Sequence, residues 1–265
     1  MANQQFNNIL KEEKLQEIRV GLKVIIFVLA ILVCLQQFEI FDVARITKDI
    51  SAMGTFIAEI VPPDFSDARS WIIPVCDTLA MSVGGTALAI LFSLPLTLLA
   101  TANSYHRAVH IVSRSILCLL RAVPDLIIGL LFVAAVGFGA LPGMFALAFH
   151  STGILGKSFV ETIERVNKET METLQSKSTS SMKILRYAIL PQILLQITER
   201  SVSRWEYNVR MSTIMGIVGA GGIGAELIRE IDETQYQKVF AILIVIITTL
   251  VLIDLAGSQF RKHLK

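Results

Sequence analysis

The chain is short of charge. Lys, Arg, Asp and Glu make up 17% of its 265 residues, where soluble domains hold about a quarter. Cysteine and histidine are scarce as well. Cys34, Cys76 and Cys118 are odd in number, far apart, and inside or beside apolar runs. No metal spacing such as C-x-x-C exists, so no cysteine metal site is expected. The three read as small apolar residues buried in packing. His106 and His110 share a helix face by spacing but lack an acidic ligand nearby. With the scattered His150 and His263 they read as loop or interfacial residues, and no metal site is expected. No Ser/His/Asp grouping, no framed pair of carboxylates and no G-x-x-x-x-G-K-[ST] phosphate loop occur. A catalytic role is therefore not expected, and any ATP that the work requires must be hydrolysed by another chain. No repeat or low-complexity segment stands out, and no nucleic-acid partner is expected.

What is present is hydrophobic. Of all residues 53% are apolar, and the mean hydropathy is +0.62. The apolar residues fall in runs near the roughly 20 that a membrane helix needs. Val20–Phe38 is the first. It is followed by Gln36, Gln37 and Glu39 and by no small-residue cleavage site, so it reads as a retained anchor. Residues 42–60 have the pattern of an amphipathic helix lying at the interface. Pro74–Ala102 is the second run, with Pro95 as a kink. Ser115–Gly139, interrupted by Pro124, is the third, and Leu141 to about Val160 the fourth. Gln192–Met215 is a fifth, unusually polar helix, and Val239–Ala256 a sixth. The expected fold is all-α and polytopic, with six spans. Residues 1–73 form an N-terminal segment with the first span, and 74–265 a core of five. Lys and Arg concentrate at the N-terminus, in 103–114, in the loop of about 161–191 and in the tail Arg261–Lys265. By the positive-inside rule both termini and that loop face the cytoplasm.

Three polar features interrupt this pattern. Arg204, Glu206, Asn208 and Arg210 lie within the fifth run. Glu206 and Arg210 stand one helix turn apart, and charges at such depth face protein or water. Two readings follow: a translocation path for an anion, or an intramembrane ion pair that holds helices together. Arg121, beside Pro124 and Asp125, either lines such a path or snorkels to the cytoplasmic interface. The run Gly216, Gly219, Gly221, Gly222 and Gly224 satisfies G-x-G-x-x-G but lacks a βαβ context. Its glycines suit a helix break and close backbone packing on the outer side.

The loop ending at Leu190-Pro191 resembles the coupling loop of bacterial ABC-importer permeases. Glu172, Thr173 and Leu174 fill the family's Glu-Ala-Ala slots, Ser178 its Gly slot and Ala188 its Ile slot. The spacing agrees, while the Ala, Gly and Ile identities do not. Further segments, WEYNVRMSTIMGIVGAGGIGAELI (205–228), LLFVAAVGFGALPGMFALAFHSTGILGK (130–157), RYAILPQ (186–192) and PPDFS (62–66), resemble the phosphonate-type ABC permeases. The resemblance implies a type I importer core of the methionine-importer kind in the bacterial inner membrane. It also implies a homodimer, two cytoplasmic ATPase subunits that use ATP and Mg, and a periplasmic or lipid-anchored phosphonate-binding protein. By the same resemblance Glu172, Ser178 and Leu190-Pro191 would transmit the ATPase's motion to the spans. Phosphonate is the expected cargo, with phosphite or phosphate as alternatives. An ATP-independent secondary transporter and a non-transporting scaffold are the readings from other classes.

Overall fold

The computed structural model describes residues 2–37, 43–101, 107–174 and 190–264. Their side chains are described over 16–37, 46–101, 107–165 and 193–263. Secondary structure among the described residues is helical, without strands. In chain order the helices are α1 (Ala2–Gln37), α2 (Val43–Ile60), α3 (Ile72–Ala100), α4 (Arg107–Ala122), α5 (Asp125–Val136), α6 (Ala140–Leu174) and α7 (Leu190–Met215). A π-helical turn, Gly216–Ala220, leads on to α8 (Gly222–Asp232), and α9 (Tyr236–Leu264) is last. The chain divides into two compact units, Met1–Glu59 and Ile60–Lys265. The boundary expected at 73/74 falls inside the second unit.

In the first unit, Gln16–Gln37 forms 22 residues of α1 with a mean hydropathy of 2.7. Helix α2 takes the place of the expected interfacial segment. Ile46, Ile50, Met53 and Ile57 recur on one side of it at helical spacing and are all exposed, as an interfacial helix requires.

The six expected spans do not appear as six straight helices. Among the described residues, three helices are long and apolar enough to cross a membrane: Gln16–Gln37, Ile72–Ala100 and Tyr236–His263. Counting each of two bent pairs as one span makes five. Helices α4 and α5 meet at 88°, and Ile193–Ala220 meets α8 at 54°. The first bend replaces the expected third span. Pro124 has no N–H to donate and drives Val123 away from helical geometry, so the chain turns there and restarts at Asp125. The second bend carries the helical chain on through residues 222–232, beyond the expected end of the fifth span at Met215.

Helix α6, the expected fourth span, runs on to Leu174 but carries His150, Ser151, Thr152 and Lys157. It is nevertheless the central helix of the second unit. Ala146, Leu147, Ser151 and Phe159 are fully buried. A helix sheltered from lipid by its neighbours needs no apolar circumference. Its main partner is α3, which presents a stripe of small and hydroxyl residues: Thr78, Ser82, Thr86, Ala89, Ser93 and Thr97. Small side chains let two helices approach closely, which matters where lipid removes the hydrophobic drive to associate. Thr97 donates to the Gly156 carbonyl across this seam at 3.2 Å.

Two smaller features complete the second unit. Trp71 packs with Ile223, Ala241, Ile242 and Ile246. In the Pro62–Ser66 segment, the Asp64 N–H donates to the Gln237 carbonyl at 3.1 Å. The Ser66 N–H donates to the Asp64 carboxylate at 2.8 Å, and this bond holds that carboxyl below its usual range. The three cysteines are exposed, against the expectation of burial. An outward surface bathed in lipid accepts a small apolar side chain as readily as an interior does, so apolarity alone does not mark burial here.

Candidate functional site

Helix α5 begins at Asp125, one residue after Pro124, and this places a carboxylate in its first turn. The side chain points inward and is 5% exposed. Its Oδ1 lies 2.6 Å from His150 Nδ1 on α6. That nitrogen is also 3.0 Å from the Val123 carbonyl. Both neighbours are acceptors, so Nδ1 is the nitrogen that carries the proton. The other carboxylate oxygen, Oδ2, accepts from the Tyr207 hydroxyl at 3.1 Å and lies 3.8 Å from Arg204 Nη2. Arg204 stacks over the Tyr207 ring at 4.2 Å and is 8% exposed. A buried charge of either sign is costly unless compensated, and Asp125 and Arg204 compensate one another.

From Arg204 a chain of hydrogen bonds crosses the second unit. Arg204 Nε donates to Ser151 Oγ at 2.8 Å, and Ser151 donates to Asn208 Oδ1 at 3.0 Å. Asn208 Nδ2 donates to Thr86 Oγ1 at 2.8 Å, and Thr86 donates to the Ser82 carbonyl at 2.7 Å. Helices α3, α5, α6 and α7 are thus joined through side chains alone. Asn208 is fully buried with its amide committed to both neighbours, so it serves as a bridge between helices.

Glu206 and Arg210, expected as a mutual pair, each bond to α9. Glu206 accepts from Arg261, and Arg210 donates to both oxygens of Asp254 at 2.9 and 3.1 Å. On a helix carrying both, a partner on the facing helix competes with the one a turn away, and here the facing helix supplies two. Arg121 lies between the α4–α6 cleft and a second cavity bordered by Arg204. The glycine stretch breaks the helix. Gly219, Gly221 and Gly222 have φ of +96°, +76° and +73°, a region where side chains with a Cβ are strained. The Ile223 N–H beyond the break donates to Thr78 Oγ1 at 2.9 Å. Gly216 and Gly224 lie where the two arms touch: a Cβ on Gly216 would stand 2.7 Å from the Gly224 Cα.

Glu172, Thr173 and Leu174 close α6, and Leu190 and Pro191 open α7, but their side chains lie outside the described residues. Ser178 lies outside them altogether.

Asp125, His150, Ser151 and Thr86 carry the centre of the network, yet the sequence pattern did not single them out. Faint signals existed. Asp125 follows a proline at a helix start, and His150-Ser151-Thr152 interrupts an apolar run. Asp254, the only acid in the final run, needed a cation.

Over residues 93–265 the chain matches the family described as binding-protein-dependent transport system inner membrane component. It is 45% identical over 248 residues to the phosphite transport system permease protein PtxC of Stutzerimonas stutzeri, covering 93% of this chain and 90% of that one. It is 38% identical over 210 residues to the phosphate-import permease protein PhnE of Mycolicibacterium smegmatis, covering 78% of this chain and 39% of that one. Among solved structures, an amino acid ABC transporter with histidines superposes at a TM-score of 0.64 and 19% identity, over 76% of this chain and 98% of that one. An inward-facing MetNI methionine ABC transporter superposes at 0.62 and 16%, over 76% and 99%. At such identities the likeness concerns the fold. This chain belongs to the binding-protein-dependent inner membrane components, the non-catalytic permease subunits of ABC importers.

Proposed function

We propose that this permease carries a phosphorus oxyanion inward, with phosphite as its first cargo. The observation that supports this is the 45% identity to a phosphite permease over nearly the whole of both chains. Phosphonate, the cargo expected from the sequence resemblance, takes second place, since relatives named for phosphonate transport match a shorter part of this chain, 45% of it at 36% identity in one case. An anion of this kind does not cross hydrocarbon unaided. A subunit of this class moves it by alternating exposure, so binding inside must be weak, with selectivity resting on the binding protein. Two copies of this chain would pair, and two ATPase subunits using ATP and Mg would dock on the loop near 161–191 through Glu172, Thr173, Leu174, Ser178, Leu190 and Pro191. A periplasmic or lipid-anchored protein would deliver the cargo. The ATP-independent reading fits poorly with a family defined by dependence on a binding protein.

The test is uptake of labelled phosphite into phosphate-starved cells with and without this chain, competed by phosphate and by an aminoalkylphosphonate. Chain-dependent uptake that resists both competitors supports phosphite. Uptake of label erased by the phosphonate moves the cargo to phosphonates. Native mass spectrometry of the purified complex reads the stoichiometry, with two copies of this chain expected.

A further inference from the structure

Three cavities adjoin one another between α4, α6, α7 and α9. The first, 270 Å³, lies between α4 and α6. The middle one, 360 Å³, shares Arg121, Lys157 and Glu161 with it and adds Arg200, Ser203 and Arg204. The third, 420 Å³, shares Arg200 and Ser203 with the middle one and adds Arg261 and Lys262. The middle cavity is the most unbalanced in charge. Four cations, Arg121, Lys157, Arg200 and Arg204, face one carboxylate, Glu161.

The four cations are not equally committed. Lys157 is held 3.3 Å from Glu161. Arg204 is turned towards Asp125, Ser151 and Tyr207, and its Nη2 is buried without a hydrogen-bond partner. Arg121 and Arg200 have no hydrogen-bond or ion-pair partner among the described residues. Arg121 is half-buried and Arg200 exposed, and the two guanidinium forks line one cavity with an excess of positive charge, which favours an anion there. A tetrahedral oxyanion suits them, because each fork offers paired N–H donors to two of its oxygens. The Ser203 hydroxyl, whose proton goes to the Glu199 carbonyl, offers an acceptor for a protonated oxygen of the same group.

We propose that this cavity is a binding site for a phosphorus oxyanion, with Arg121 and Arg200 as its ligands, Lys157 and Arg204 as flanking charges and Glu161 as an opposing charge that keeps affinity low. The link to cargo rests on the function proposed above, whereas the existence of the site does not. The same chemistry is offered by a free oxyanion and by the phosphate of an anionic lipid headgroup.

The experiment uses the assembled transporter in nanodiscs of neutral lipid and in discs containing phosphatidylglycerol. Labelled inorganic phosphite and phosphate are titrated, and native mass spectrometry counts retained lipid. In neutral discs, Arg200→Gln is expected to weaken oxyanion binding about tenfold or more, with Arg200→Lys between it and wild type. Glu161→Gln is expected to tighten binding, a gain that misfolding does not produce. Wild-type affinity in both Arg200→Gln and Glu161→Gln, with unchanged lipid retention, would overturn the site. If inorganic oxyanions do not bind but phosphatidylglycerol is retained by wild type and lost from Arg200→Gln, the site holds a lipid headgroup. Cellular phosphite uptake is the separate readout. Oxyanion binding lost in Arg200→Gln, without phosphite uptake by wild type, removes the cargo assignment and leaves the site standing. Normal uptake with unchanged binding in Arg200→Gln does the reverse.

Discussion

Asn208 bonds to α6 through Ser151 and to α3 through Thr86. In lipid such interhelical bonds contribute on average about 0.6 kcal/mol each and up to about 1.7. Asn208→Leu keeps the side chain's bulk and removes both, so a loss of about 1 to 2 kcal/mol is expected, read as a lower unfolding temperature of the detergent-purified complex. Gly257 is a sharper case. A Cβ there would stand within bonding distance of Glu206 Oε1, in the space that the Glu206–Arg261 pair occupies. Gly257→Ala should therefore destabilise, and Glu206→Ala in the same chain should recover part of the loss, because removing the carboxylate also removes the clash. Additive losses in thermal inactivation would show that the two positions do not communicate. At this scale the sequence was only partly legible. Glu206 and Arg210 were visible as charges in need of partners, but their partners, Arg261 and Asp254, lie 55 and 44 residues away, and no local spacing points across that distance.

At the scale of elements, the two bends define the architecture of the second unit. Their causes were legible: a proline at 124 that denies the helix a donor, and glycines that take positive φ. Their angles were not, because these depend on what each arm packs against. Met215 and Ala220, at the end of the arm before the 54° bend, meet Met81, Ile128 and Leu147. The loop of about 161–191 is the other element, and the role proposed for it is mechanical. As a coupling loop it would fit a groove on an ATPase and carry a rigid-body shift into α6 and α7, the helices it joins. Glu172→Lys reverses its charge at the aligned acidic position. Reduced uptake with an unchanged amount of protein in the membrane is expected. Normal ATP-driven uptake by that variant would remove the coupling role of Glu172.

For the molecule as a whole, topology follows from where the cations lie. We propose that the tail Arg261-Lys262-His263 and the basic segments of α4 and α6 lie on the cytoplasmic side, as the positive-inside rule expects. A C-terminal fusion to a fluorescent protein should glow, and one to alkaline phosphatase should stay inactive. The opposite pair of results would reverse the orientation. The same orientation would put the basic cavities near the cytoplasmic end of the transport path, so that an oxyanion bound there would be on the side of release.

The sequence by itself determined that the chain is helical and apolar, since those follow from composition and from runs whose length is set by bilayer thickness. It also carried the family, through long stretches such as 205–228. The tertiary structure decided that two of the runs are bent, at Pro124 and at the glycines of 216–224, and that α6, not the most apolar helix, is central. It decided that Asp125, His150, Arg204 and Tyr207 meet. The physical reason is the same in each case. Lipid rewards apolar surface residue by residue, which a linear pattern records. A buried charge or amide is satisfied by whichever helix faces it, and that is known only once the helices are packed.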